Sequence, residues 1–283
     1  MRCVKCLLAA GAASLLSTAA FAADMPIAPP PMYAPPPAAE FSGWYLRGDI
    51  GMTNQQLKSL NNPDPTVPAS LVSTGMGFDS ATLFDVGVGY QFNNWFRADI
   101  VGQWRGRANF HGSQSVPVNP PAFPGVTFAQ VNNYSGSKSE AVVMANGYVD
   151  LGTWWCVTPY IGAGIGTAYN KISGFRDDGV TYINGSPFPG VAYASDAGKW
   201  NFAWALHAGL GYRVTENVTL ELGYSYMNLG DATTGVNSKF DGSAAAQYPW
   251  TMKNITSNDL KLGMRWDLDT LPPPPPPPLV TKG

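Results

Sequence analysis

Apolar and charged residues alternate along the last strand-like stretch of the chain, residues 259–268. Its even positions are apolar, namely Leu260, Leu262, Met264, Trp266 and Leu268. Its odd positions are charged or glycine, namely Asp259, Lys261, Gly263, Arg265 and Asp267. Because successive side chains of a β-strand point to opposite faces, one face of this segment is apolar and the other is charged. An apolar face toward lipid and a charged face toward a lumen is typical of a transmembrane β-barrel.

Seven earlier stretches show the same alternation, so the sequence predicts eight strands. They cover residues 43–52, 82–92, 95–107, 138–151, 157–170, 200–213, 218–228 and 259–268. The fourth stretch is the least regular, because Val142, Met144 and Tyr148 fall on the polar face. Each stretch is about 10–14 residues long, which is enough to cross a bilayer at a tilt.

The connections between these stretches alternate between short and long. Short turns join strands two to three, four to five and six to seven, at residues 93–94, 152–156 and 214–217. The other connections are long, at residues 53–80, 109–137, 171–199 and 229–257. We expect these long connections to be unstructured loops. Short turns at one end and long loops at the other are typical of an outer-membrane barrel with both termini in the periplasm.

The predicted fold is therefore all-β: an eight-stranded antiparallel up-and-down transmembrane β-barrel over residues 41–268. The alternative is a soluble, lipocalin-like barrel in which the two faces are inverted. That arrangement would expose large apolar side chains such as Phe84, Trp204 and Leu262 to water, which is unfavourable for a soluble protein. The membrane barrel is the better interpretation of the pattern.

Both ends of the chain are predicted to lie outside the barrel. Residues 1–22 have the features of a secretory signal peptide, because a basic start and an apolar middle precede Ala20-Phe21-Ala22, which predicts cleavage between Ala22 and Ala23. Residues 23–40 form a proline-rich periplasmic lead, and residues 269–283 form a proline-rich C-terminal tail. Proline fixes φ and removes the backbone donor, so both segments are predicted to be stiff, polyproline-II-like linkers.

The composition argues against two classes of protein. Charged residues make up 13% of the chain and the formal net charge is -2, so no nucleic-acid partner is expected. After the predicted signal peptide, no apolar run has the length of a transmembrane helix, which argues against a helical membrane protein.

The inward face of the predicted strands carries a near-balanced set of charges. This lumen network comprises Arg47, Asp49, Asp85, Arg97, Asp99, Arg105, Glu140, Asp150, His207, Arg213, Glu221, Asp259, Lys261, Arg265 and Asp267. Eight strands leave a lumen just wide enough for side chains to fill. Because an isolated buried charge is costly, these groups are expected to pair and to plug the lumen. The alternative is a partly hydrated lumen, which would make the protein a minor porin-like channel for small solutes.

No catalytic, metal or cofactor site is predicted. His111 and His207 lack the spacing of metal ligands, and Ser135-x-x-Lys138 lacks the helix and partner motifs of a Ser/Lys enzyme. Glycines that alternate within strands are expected to make room for bulky lumen neighbours. The remaining enzymatic alternative is a lipid-modifying enzyme at the barrel rim, which would need a histidine beside a serine or an acid there.

Three stretches carry a resemblance to a known family: Phe41-Ser42-Gly43-Trp44-Tyr45-Leu46-Arg47-Gly48, residues 84–90 and residues 157–166. With the signal peptide and the proline-rich lead, they resemble the small outer-membrane β-barrel proteins of alphaproteobacteria, which are related to OmpA-type and opacity-type barrels of the porin family. The resemblance implies an integral outer-membrane protein with structural, adhesin or minor porin-like roles. Such proteins usually end on an aromatic residue that the assembly machinery recognises. Here a tail follows the last strand, so Trp266 and Leu268 are the candidates for that assembly signal.

The expected function is therefore structural and surface-interacting, without catalysis. The expected partners are outer-membrane lipids and the barrel assembly machinery. The proline-rich termini are candidate contacts with the cell wall. The long loops are candidate binding sites for host or phage surface ligands, because function concentrates in loops held on a rigid frame.

Overall fold

The computed structural model describes residues 42–63, 71–117, 125–240, 244–246 and 248–269. These residues form thirteen strands: β1 Gly43–Gln56, β2 Ser59–Asn61, β3 Val72–Phe78, β4 Ala81–Gln91, β5 Phe96–Val116, β6 Phe128–Asp150, β7 Val157–Ile183, β8 Ser186–Ala194, β9 Ala197–Arg213, β10 Val218–Thr233, β11 Asn237–Lys239, β12 Ala244–Ala246 and β13 Thr251–Asp267. The predicted signal peptide, its cleavage position, the proline-rich lead and all of the proline-rich tail except Asp269 lie outside the described residues. Within the described ranges, no helix is long and apolar enough to cross a membrane.

Eight of the strands pair into a closed antiparallel ring. The order around the ring is β1, β4, β5, β6, β7, β9, β10 and β13, and β13 pairs with β1 again. Each of the eight predicted stretches falls on one of these strands and extends beyond it by at most one residue. The predicted all-β, eight-stranded antiparallel barrel is therefore confirmed.

The side chains of the ring strands separate into an apolar outer face and an inner face of buried side chains. The large apolar side chains that are about half exposed on the outer face include Leu46, Ile50, Phe84, Val86, Ile100, Trp104, Ile161, Phe202, Leu222 and Leu262. A one-residue shift of register would turn this entire set inward, so the pairing is fixed by the difference between the two faces. Trp44, Trp95 and Trp266 lie at the short-turn end of this apolar band, where membrane-interface aromatics belong.

Strands β6, β7 and β8 continue beyond the ring at the end that carries the long connections. The pairing of β7 with β9 stops at Ile172, which lies opposite Ala197, whereas β7 remains paired with β6 as far as Ile183. Strand β8 takes the place of β9 and pairs with residues 176–183 of β7. We call residues 128–135, 176–183 and 186–194 the arm.

The expectation of unstructured loops is wrong for all four long connections. Strands β5, β6, β7 and β8 occupy most of residues 109–137 and 171–199, and parts of residues 53–80 and 229–257 belong to β1, β2, β3, β10, β11, β12 and β13. Beyond the lipid, neither face of a strand has to be apolar, so the alternation that identifies a membrane strand is lost. Bulges between Arg105 and Ala108 and between Ser135 and Ser137 also shift the phase of the pattern.

The interior has two layers with different chemistry. The first contains the predicted lumen charges and extends through the part of the ring that the apolar outer band surrounds. The second lies at the long-connection end, where buried side chains pack together: Leu60, Phe78, Phe110, Tyr134, Ile172, Phe175, Leu229, Trp250, Met252 and Ile255. We call this second set the apolar layer. Ring contacts connect it, with centroids 4.9 Å apart for Tyr134 and Trp250 and 5.8 Å apart for Tyr134 and Phe175.

Strand glycines make room for tyrosines inside the ring. A Cβ atom built at Gly89 would overlap the ring of Tyr45, and one built at Gly162 would lie 2.5 Å from Cδ1 of Tyr148. Tyr45 is fully buried, so the overlap would occur inside the ring of strands and not at its surface. These close approaches explain why glycine alternates along the inward face of several strands.

Gly89→Val is expected to lower the free energy of unfolding by about 1–3 kcal/mol, because the added side chain overpacks against the Tyr45 ring. Gly102→Val is the matched control. No atom lies within 4 Å of a Cβ at that lipid-facing position, so little or no loss is expected. Urea titration of the refolded proteins in detergent measures both. In a Tyr45→Ala background the additional loss caused by Gly89→Val should be smaller, and equal losses at the two glycines would contradict the explanation.

Candidate functional site

The predicted lumen residues lie inside the ring and are buried, with one exception. The buried members are Arg47, Asp49, Asp85, Arg97, Asp99, Arg105, Glu140, Asp150, His207, Glu221, Asp259, Lys261, Arg265 and Asp267. Arg213, the exception, is exposed at the end of β9. Six buried cations and eight buried carboxylates occur among the described residues once Lys138 is included. The near balance of charge is what pairing requires.

Arg47 on β1 connects three strands of the ring. Its guanidinium donates to Asp49 on the same strand, with Nη2–Oδ2 at 2.7 Å, and to Asp99 on β5, with Nη1–Oδ2 at 3.0 Å. It also donates to the hydroxyl of Tyr148 on β6 at 3.0 Å. Charge-assisted bonds in such a buried setting fix the positions of all the side chains involved.

Glu221 on β10 is shared by three arginines. Its carboxylate oxygens lie 3.2 Å from Nη1 of Arg97, 3.6 Å from Nη1 of Arg265 and 3.6 Å from Nη2 of Arg47. The Arg97 guanidinium also lies 4.5 Å from the ring centre of Tyr148 and 4.7 Å from that of Tyr160. Both distances are within the range of a cation–π contact, so Arg97 contacts Glu221 and two tyrosine rings at this level.

Arg105 on β5 is the centre of a second cluster, next to the apolar layer. It contacts the carboxylate of Asp259 and donates to Ser257 at 2.7 Å and Thr53 at 2.9 Å. Its Nε atom lies 3.5 Å from a carboxylate oxygen of Glu140. This one side chain therefore connects β1, β5, β6 and β13.

Lys138 was missed by the sequence prediction. It is buried, contacts Glu140 and donates to Oε1 of Gln55 at 2.8 Å. The sequence spacing could have placed Lys138 in the lumen, because Lys138 and Glu140 are two residues apart on β6 and therefore share a face. Lys138 stood at the first position of the predicted strand, where the boundary is least well defined.

His207 belongs to a hydrogen-bonded series that resembles the arrangement of a nucleophile and a base. Its Nδ1 lies 2.8 Å from Oγ of Ser225 and its Nε2 lies 3.1 Å from Oδ1 of Asn146. Asn146 in turn donates to Asp99 at 2.8 Å. However, the series lies midway along the ring strands, and Ser225 is only 1% exposed. The enzymatic alternative requires such a group at the rim, in reach of a lipid.

The two candidate assembly residues lie at the end of the closing strand. Trp266 is 52% exposed on the lipid-facing side, and Leu268 is 50% exposed just after β13. The backbone of Leu268 donates to the carbonyl of Trp44 at 2.9 Å. Their role as an assembly signal remains a prediction.

Metal binding finds no support in the lumen. In the part of the chain that the structure describes, no group of three or more His, Cys, Asp or Glu side chains has an arrangement that could hold a metal ion. The buried lumen carboxylates instead have arginine or lysine partners.

Comparison with known proteins identifies the family. Residues 8–266 match the model of the outer membrane protein β-barrel domain. The chain belongs to this family. A protein of Brucella melitensis without an assigned function is 33% identical over 246 residues, covering 82% of this chain and 83% of its own. The outer membrane protein PagN of Salmonella typhimurium is 30% identical over 186 residues, covering 64% and 70%. A candidate adhesin of Rickettsia bellii is 28% identical over 231 residues, covering 80% and 88%.

Membership of this family shows what surrounds the outer face of the ring. The protein is located in the bacterial outer membrane, so the apolar outer face of the ring contacts lipid. The charged lumen residues are therefore shielded from lipid by the sheet itself.

Proposed function

We propose that the protein is a surface-interaction barrel with a largely plugged lumen and that the arm makes the contact with the ligand. The observation that carries this proposal is the continuation of β6, β7 and β8 as a paired sheet beyond the last pairing of the ring. Outer-membrane barrels have their short turns in the periplasm and their long connections outside the cell. On that orientation, the arm extends from the cell surface.

The exposed surface of the arm supports a role in recognition. Tyr182, Phe188 and Tyr193 are between 41% and 55% exposed, and Val131 is 42% exposed. These side chains lie beyond the lipid-facing band, so contact with the membrane does not explain their exposure. Exposed apolar groups on a rigid sheet are characteristic of interaction surfaces, and aromatic side chains contribute large contact areas at low entropic cost.

The expected ligands are host or phage surface molecules. Support comes from the relative in Rickettsia bellii that is a candidate adhesin. Two further partners follow from the barrel itself, namely outer-membrane lipids around the apolar band and the assembly machinery that recognises the closing strand. The proline-rich termini, on the periplasmic side of the proposed orientation, are proposed to contact the cell wall.

The packing of the interior supports a plug rather than a channel. The two layers follow one another along the lumen, and every buried carboxylate of the first has an arginine or lysine partner. A solute would have to pass both the arginine and tyrosine side chains around Glu221 and the apolar layer above Arg105. The burial of the Ser225–His207 pair supports a non-catalytic role as well.

Shortening the arm tests the proposed function. Replacing residues 180–189 by Asn-Gly places a two-residue turn between Gly179 and Gly190, which are register partners. A non-adherent laboratory strain that displays the full protein should adhere to cultured host cells, and the shortened variant should adhere no better than the empty strain. Asn184→Asp, which keeps a turn-compatible residue, is the control and should retain adhesion. Unchanged adhesion by a correctly assembled short variant would contradict the proposal.

A further inference from the structure

The inner face of the arm contains a pocket of about 580 Å³. Its polar lining includes Asn132 on β6 and Asp177 and Thr181 on β7. Its apolar lining includes Phe188 on β8 and Phe240, which follows β11. Phe188 and Phe240 are 55% and 81% exposed, so their rings are available to a ligand. A pocket of this size and mixed lining is within the range of small-molecule and side-chain binding sites.

Asp177 is the unusual residue of this pocket. Its Oδ1 atom is buried and has no hydrogen-bond partner among the described residues. Its register partners are Tyr134 on β6 and Ala192 on β8, and neither of them is a cation. The neighbouring Asp178 differs, because it pairs with Arg176 at 2.6 Å. Burial and the charge of Asp178 raise the pKa of Asp177 to about 7.

The lumen of the same protein shows how a buried carboxylate is normally stabilised. There each buried carboxylate has an arginine or lysine partner. An unpaired carboxylate in a partly desolvated site is costly, and a ligand that brings a positive charge would remove that cost. Lys239 also lines the pocket, but the described residues include no ion pair between it and Asp177. The site therefore lacks a cation of its own at this oxygen.

We propose that this pocket binds a primary ammonium group on an alkyl chain, with the nitrogen paired to Asp177 and the chain packed against Phe188 and Phe240. Aromatic rings attract cations and also cover apolar methylene groups, so both parts of such a ligand are accommodated. The inference rests on the proposed function of the arm and names the chemistry that the arm recognises. A lysine side chain of a surface protein and a free polyamine both present this group.

The test is isothermal titration of the refolded full chain in detergent with two probes, 1,5-diaminopentane and the N-acetylated, C-amidated peptide Gly-Lys-Gly. The N-acetylated, C-amidated peptide Gly-norleucine-Gly, which has the alkyl chain without an ammonium group, is the matched control probe. Saturable binding of either ammonium probe, with none of the norleucine peptide, is expected. Stronger binding of the lysine peptide would assign the site to a protein partner, and stronger binding of the diamine would assign it to a free polyamine. Either result supports the proposal.

Two variants and a pH series make the test specific. Asp177→Asn should abolish binding, whereas Asp178→Asn should retain it, because Asp178 is paired with Arg176. A carboxyl with a raised pKa stays protonated below that value, so cation binding should weaken by about tenfold or more between about pH 8 and about pH 5.5. Asp178, Arg176 and Lys239 are charged groups of the strands around this site. Because burial is the larger cause of the raised pKa of Asp177, the Asp178→Asn variant should keep a pH dependence whose midpoint is shifted to lower pH.

The results that overturn the inference differ from those that overturn the proposed function. Absence of saturable binding to a folded chain, or equal binding by Asp177→Asn, would overturn the ammonium site. Adhesion would then still depend on the arm if the proposed function holds. Conversely, ammonium binding by the full chain together with unchanged adhesion of the shortened variant would overturn the proposed function and leave the site in place.

Discussion

Arg105→Ala is expected to lower the free energy of unfolding by about 3–5 kcal/mol, the usual cost of removing one partner of a buried ion pair. The substitution leaves the carboxylate of Asp259 without its cation and removes the donor to Ser257 and Thr53. Lys138 still contacts Glu140, so the loss concentrates on Asp259. Urea titration of the refolded protein in detergent, followed by tryptophan fluorescence, measures the change.

The control for this prediction is an ion pair on the surface of the same protein. Arg176 and Asp178 lie 2.6 Å apart, but both side chains are more than 40% exposed. Exposed pairs contribute little to stability, so Arg176→Ala should cost less than about 1 kcal/mol. Similar losses for the two arginines would mean that the lumen network does not stabilise the fold in the way that its burial indicates.

Phe175→Ala is expected to have an effect of the same size, about 3–5 kcal/mol, because it creates a cavity in the centre of the apolar layer. The Phe175 ring is 2% exposed and lies near Phe110, Tyr134 and Trp250, with centroids 6.2, 5.8 and 6.3 Å away. The same urea titration measures the loss of stability.

Tyr182→Ala provides the comparison for the apolar layer. Tyr182 lies on β7 beyond the layer and is 41% exposed, so its removal should change the free energy of unfolding by no more than about 0.5 kcal/mol. A negligible effect of Phe175→Ala would indicate that the apolar layer is loosely packed. That result would also weaken the case for a plugged lumen.

The part of the fold that crosses the membrane could be predicted because lipid imposes a strict rule on it. Every outward position must be apolar there, so residues such as Leu260 and Leu262 reveal both the strand and its orientation. The inward positions follow by parity alone. For this reason, Arg47, Asp85 and Glu221 could be assigned to the lumen without knowledge of their partners.

The partners themselves could not be predicted from the pattern. Arg105 and Asp259 are 154 positions apart in the sequence, and their contact depends on how far β5 and β13 are staggered around the ring. Alternation gives the face of a side chain but not its height along the axis of the ring. The pairing of Arg97 with both Asp150 and Glu221 could not be predicted from the sequence for the same reason.

The arm and the apolar layer were missed because the rule imposed by lipid ends where they begin. Beyond the membrane, a strand can be polar on its outer face, as at Asn133 and Asp178, so the sequence resembles a loop. The sequence did not indicate that Phe175 and Trp250 share a core. Bulges and irregular pairing in the adjoining strands interrupt the alternation of inward and outward side chains there. Asp177 could be recognised as unpaired only once its neighbours on β6 and β8 were known.

Single-channel recording of the refolded chain, residues 23–283, in a planar bilayer at high salt tests the central proposal most directly. Insertion is verified by the difference in migration between unboiled and boiled samples on an SDS gel, and an open porin in the same bilayer serves as the positive control. If paired charges and the apolar layer plug the lumen, the inserted protein will show no discrete current steps. Reproducible steps that change when Arg97 or Arg265 is neutralised would contradict the plugged lumen and indicate a small-solute channel.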